Sequence, residues 1–144
     1  MDNHTFRKWN NIVGWLLFGV ALFVYLFTLE HKFSFWDTGE YISSATKLEV
    51  THAPGAALFQ LVGAVMGIFA FGNGQYYGLV INVMSAVFSA FTILFLFWTI
   101  THLVRGIFRK IGGELSVLDD LKVLISGGIG ALAFTFSDTF WYSA

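Results

Sequence analysis

Two carboxylates three residues apart, Asp37 and Glu40, stand in an aromatic segment, FSFWDTGEYISSATKLEV, that runs from Phe33 to Val50. On a helix this spacing puts both acids on one face, with Ser44 at the next turn. Such a pair can coordinate a divalent cation, or one acid can take the proton of an attacking hydroxyl. The plainer alternative is a pair of solvated acids or a helix cap, because acids at this spacing are common on exposed helices. Phe33, Phe35, Trp36 and Tyr41 surround the pair. The segment therefore reads as a helix lying along a water–lipid interface, aromatic side toward lipid and carboxylates toward an aqueous cavity.

A second motif follows at once. THAPG, Thr51 to Gly55, joins the chain's only proline to a histidine and a glycine, just ahead of an apolar run. Pro54 suits a first helical turn, where a missing N–H costs nothing. Free amides at that helix start, with His52 or Lys47, could hold a phosphate. A turn that only aims the helix is the simpler reading. There is no cysteine, which removes disulfides and thiolate metal sites, and no zinc spacing, P-loop or nucleophile elbow.

The elements that must position these residues follow from composition. The chain is 56% hydrophobic, 19% aromatic and only 12% charged, outside the soluble range and suited to lipid. A net charge of −1 gives no reason to expect nucleic acid. Asn11 to Leu29 is free of charge and about as long as the roughly 20 residues a bilayer crossing needs. Arg7 and Lys8 before it place the N-terminus in the cytoplasm. EHKFSF, which follows, has no small-residue cleavage site, so the segment reads as an uncleaved signal anchor.

Residues 30–78 then form an outer loop that carries the acids. Ala56 to Phe71 is apolar but short for a crossing, and the basic residues decide its place. Left on the outer side, it puts Arg105, Arg109 and Lys110 in the cytoplasm with Arg7 and Lys8, as the positive-inside rule prefers. The second span runs over 79–100, with Trp98 near its cytoplasmic end, and a cytoplasmic loop follows. Ser116 and Asp119 resemble a capping box ahead of a third span over 118–136, with Asp in place of the usual Glu or Gln.

Within these elements, Gly63 and Gly67 make a small-residue packing face, and Asn82, Ser85 and Ser89 a polar stripe suited to interhelical hydrogen bonds. Asp138 ends the last span on the outer side. The whole reads as one membrane-embedded, all-α module of about three spans plus membrane-surface helices. The final FTFSDTFWYSA, without a terminal tail, suggests a longer protein.

The run WDTGEYISSATKLEVTHAPGAALFQLVGAVMGIFAFGNGQYYGLVINVMSAVFSA and the later SDTFWYSA resemble the N-terminal part of the bacterial relatives of transmembrane protein 260. These are protein O-mannosyltransferase-like members of the GT-C glycosyltransferases. The resemblance implies an essential acid in the first outer loop, matched by position to Asp37 with Glu40 beside it, and a surface helix matched by Ala56 to Phe71. It implies a polyprenyl-phosphate-linked sugar as donor and transfer on the outer face of a membrane, here the bacterial inner membrane. The family turn often has a second proline where this chain has Ala53.

Taken together, the expected parent is a multi-pass glycosyltransferase that moves a sugar, mannose first among candidates, to a Ser or Thr hydroxyl of an acceptor protein. Asp37 and Glu40 are the expected catalytic pair, and also the only expected ligands should a divalent cation take part. Lys47 and His52 are the expected contacts to the donor phosphate. The fragment alone is not expected to be active. The rival classes are a transporter or channel component, with the acids and Asn82 lining a pathway, and a non-catalytic scaffold.

Overall fold

The computed structural model describes residues 1–31, 37–53, 55–113 and 115–143. Its regular elements, among those residues, are helices: α1 (Asn3–Phe27), α2 (Thr38–Lys47), α3 (Ala57–Gly67) with a 3-10 turn (Ile68–Ala70), α4 (Gly74–Gly112), α5 (Val117–Thr135) and α6 (Asp138–Ser143). The protein is all-α, as its composition and apolar runs predict. Two helices, α1 and α4, are long and apolar enough to cross a membrane. α5 has nearly the bounds of the expected third span, but carries Asp119, Asp120 and Lys122 in its first two turns.

α4 departs from expectation in length. It has 39 residues and therefore runs about 58 Å at 1.5 Å per residue. The segment after Ile100, read from its polar residues as a loop, stays helical for three more turns. No proline interrupts it, and it stops only where Gly113 takes φ +75° and donates its N–H to Arg109 O. At the other end the Asn73 side chain accepts from Gln75 N–H, satisfying one of the free first-turn amides.

The chain divides into two compact units. In the first, Met1–Tyr25 packs with Phe88–Ala144. Its core is Leu17, Ala21, Ala90, Ile93, Leu94, Phe97, Val123 and Ala131, all buried. Helices meet closely where side chains are small: a Cβ on Gly127 would fall 2.8 Å from Thr101 Cγ2, and one on Gly14 2.6 Å from Trp98 Nε1. The Ser116 capping box is formed in full. Asp119 N–H donates to Ser116 Oγ, and Ser116 N–H donates to Asp119 Oδ2.

One buried polar network in this unit escapes the sequence reading. Asp120 is fully buried and takes Arg105 through Nε (2.7 Å) and Nη2 (3.2 Å), plus the Met1 ammonium (3.0 Å). The Arg105 guanidinium also lies 3.7 Å from the Phe6 ring centroid. A buried carboxylate needs such partners, because an unpaired one would cost several kcal/mol, of order 3–5. Arg105 therefore acts as a structural ion-pair member as well as a topological signal.

The second unit, Leu26–Val87, holds α2, α3 and the first turns of α4. Ile42 and Ala45 of α2 and Ile81 and Met84 of α4 form its core, covered by Phe59, Val62 and Met66 of α3. Gly63 is the hinge of this packing: a Cβ there would lie 2.8 Å from Ala45 Cβ and 3.3 Å from Ile81 Cδ1. The small-residue face foreseen at Gly63 and Gly67 is thus used to bring α3 against α2 and α4. The opposite face of α3, with Leu58, Leu61 and Val65, is exposed. Asn82, from the foreseen polar stripe, donates to the Glu30 carbonyl at 2.8 Å.

A carboxylate–histidine cluster as the candidate functional site

α2 begins at Thr38, so Asp37 occupies its N-cap position, but its side chain makes no cap hydrogen bond. The carboxylate stands at the helix start, 62% exposed. Glu40, one turn on, presents its carboxylate from the same end of α2. Ser44 is buried instead of adjoining the acids in solvent.

What closes the site is the return of the chain after α2. Leu48 takes a left-handed conformation, φ 55°, letting its own N–H reach Ala45 O and the Glu49 N–H reach Ser44 O. The chain then doubles back, and His52 arrives beside Glu40. Its backbone N–H donates to Glu40 Oε1 at 2.9 Å, and its Nδ1 lies 3.0 Å from Glu40 Oε2. Nε2 points the other way, 3.8 Å from Asp37 Oδ2, an ion-pair distance too long for a hydrogen bond. Tyr41 packs edge-on to His52 and to Phe59.

The electrostatics follow from this geometry. The hydrogen bond and charge of Glu40, with a smaller contribution from Asp37, raise the His52 pKa above 6.5. The backbone and side-chain bonds from His52 lower that of Glu40 below 4.5. Each partner thus favours the charged form of the other, imidazolium and carboxylate. All three side chains are at least 40% exposed, so these charges are screened and reachable from solvent.

Of the four residues expected from sequence, the fold brings three together. Lys47 sits in the last turn of α2, about 10 Å along the helix axis from Glu40, and does not join them. Phe33, Phe35, Trp36 and Pro54 lie outside the described residues. α3 itself starts at Ala57, after Ala56 at φ 32°. In this arrangement His52 engages both Glu40 oxygens. Among the described residues no three His, Asp or Glu side chains converge as metal ligands. The partnership of Glu40 and His52 is the feature that sequence spacing missed. Twelve residues separate them, and only the doubling-back turn could have announced it.

Comparison with known proteins bears on this same region. The family model of the protein O-mannosyl-transferase TMEM260 N-terminal domain matches residues 37–144, starting at Asp37 itself. The mouse protein O-mannosyl-transferase TMEM260 is 32% identical over 88 residues, covering 60% of this chain and 12% of the mouse protein. The chain thus spans a small part of that relative's length. No solved structure matches. With two helices of bilayer-crossing length and a family match over most of its residues, this membrane protein belongs to the TMEM260 N-terminal domain family.

Proposed function

We propose that the parent protein is a multi-pass GT-C glycosyltransferase that moves a sugar from a polyprenyl-phosphate carrier to a Ser or Thr hydroxyl, and that the Asp37–Glu40–His52 cluster is part of its active centre. The observation that carries this reading is the exposed Asp37 carboxylate facing a histidine that Glu40 holds in one orientation. The name of the mouse relative supports mannose as the sugar and protein as the acceptor.

In this mechanism the acceptor hydroxyl attacks the anomeric carbon while the bond from that carbon to the phosphate oxygen breaks. Asp37 takes the hydroxyl proton, and polyprenyl phosphate leaves with the bonding electrons, in a single inverting displacement. Glu40 is a positioning residue: it fixes the imidazole through Nδ1 and leaves the Nε2 edge to meet an anion. His52 is the proposed phosphate contact, in preference to Lys47 at the far end of α2. An orientation with the N-terminus in the cytoplasm, set by Arg7 and Lys8, puts the cluster on the outer face, at headgroup depth, in a bacterial inner membrane.

The test is transfer of radiolabelled sugar from a polyprenyl-phosphate donor to protein, in membranes holding the full-length parent or its Asp37→Asn variant. Transfer by the parent and a loss of at least about a hundredfold in the variant is the expected result. Equal transfer by both would remove Asp37 from the chemistry. No transfer by either, across several sugars, would favour a transport or scaffolding role instead.

A further inference from the structure

At the opposite chemical extreme from the acid cluster is a groove of about 830 Å³ between residues 3–11 of α1 and residues 95–109 of α4. Among the described residues three arginines line it, Arg7, Arg105 and Arg109, and no acid does. Arg105 is committed to Asp120. Arg7 has no ion-pair partner among the described residues, and the Arg109 guanidinium is bonded to a neutral group, Asn3 Oδ1. Among the described residues, therefore, neither of these two charges has an acidic partner.

The groove changes character along its length. From Arg109 back to Phe95 is about 21 Å of helix, and the lining passes from guanidinium to the exposed ring of Phe95 and the half-buried ring of Trp98. Two of its lining residues, Asn10 and Trp98, carry a buried polar atom without a partner, Oδ1 and Nε1. A soluble anion would satisfy only the charged end, and a hydrocarbon chain only the aromatic end. A molecule with a phosphate at one end and an acyl chain at the other satisfies both.

We infer that this groove holds an anionic phospholipid, its phosphate between Arg7 and Arg109 and its acyl chain along Phe95 and Trp98. Basic side chains at a bilayer surface each favour anionic lipid by roughly 1 kcal/mol. The site is separate from the proposed glycosyl-transfer chemistry and stands whether or not that reading holds.

The experiment is native mass spectrometry of the purified full-length parent, equilibrated with equal phosphatidylglycerol and phosphatidylcholine of the same acyl chains. The unaltered protein should retain phosphatidylglycerol in preference. The Arg7→Gln/Arg109→Gln variant should lose that preference about tenfold or more, and Arg7→Lys/Arg109→Lys should keep most of it. Absence of a preference in the unaltered protein would overturn the proposal without reference to any variant. So would undiminished preference in the Gln variant. Displacement of the lipid by millimolar inorganic phosphate would overturn the lipid assignment in favour of a free-anion site.

Discussion

At the scale of single residues, the decisive contact is that between Glu40 and His52, because it sets both charge and direction. His52 has its pKa raised, so its share of the pair's stability is complete below 6.5 and disappears as pH rises through the higher folded value. Glu40 has its pKa lowered, so its share is present above 4.5 and disappears as pH falls through the lower folded value. Between those limits the pair is formed in full. In ¹³C-labelled protein, His52 should titrate above 6.5, and Glu40→Gln should return it toward 6.5. A His52 that titrates identically in both proteins would show that the contact is not made. Asp37 was legible from sequence because its spacing to Glu40 survives in any helix. The histidine's partnership was not, since it depends on Leu48 adopting a left-handed backbone that its residue type does not announce.

Among the elements, long apolar runs were the most readable feature, and their ends the least. The expected spans 11–29, 79–100 and 118–136 fall on α1, α4 and α5, and the expected helix 56–71 falls on α3 and its 3-10 turn. Hydropathy marks where a helix meets lipid, whereas a helix ends where its backbone finds caps. α4 thus continues past its apolar run to Gly113, and α1 starts at Asn3, where Phe6 N–H already bonds Asp2 O. The same logic yields a stability prediction at the end of α2. Leu48 is 67% exposed, so its side chain contributes little burial while its backbone sits where non-glycine residues lose roughly 1–2 kcal/mol. Leu48→Gly should therefore leave the fold intact and raise the thermal midpoint of the full-length protein, measured by a scanning melt in detergent. A lower midpoint would mean that the exposed leucyl side chain is held by something this chain does not include.

For the molecule as a whole, topology rests on where the basic residues fall. Arg7, Lys8, Arg109 and Lys110 share one side of the membrane only if α3 stays on the surface, and this is the arrangement proposed here. The chain has no cysteine, so single substitutions give a clean test. Lys8→Cys and Lys110→Cys should both resist an impermeant thiol reagent applied to intact cells and both react after lysis. Labelling of Lys110→Cys from outside would require α3 to cross and would turn the α4 direction over. Such a reversal would also part Arg7 from Arg109, which line one groove in this structure.

One contact links the solvent of this protein to its chemistry. At Gly63 the backbone of α3 rests against Ala45 of α2 and Ile81 of α4 with no room for even a methyl group between them. Contact that close couples the two helices: a shift of α3 would press on α2, whose first turn and cap carry Asp37 and Glu40. The apolar face of α3 is exposed, so whatever presses on that face, lipid or a later segment of the parent, sets the height of the carboxylates. Gly63 would then work as a bearing, and the protein's own depth in its surroundings would set the level of the acids proposed here as catalytic.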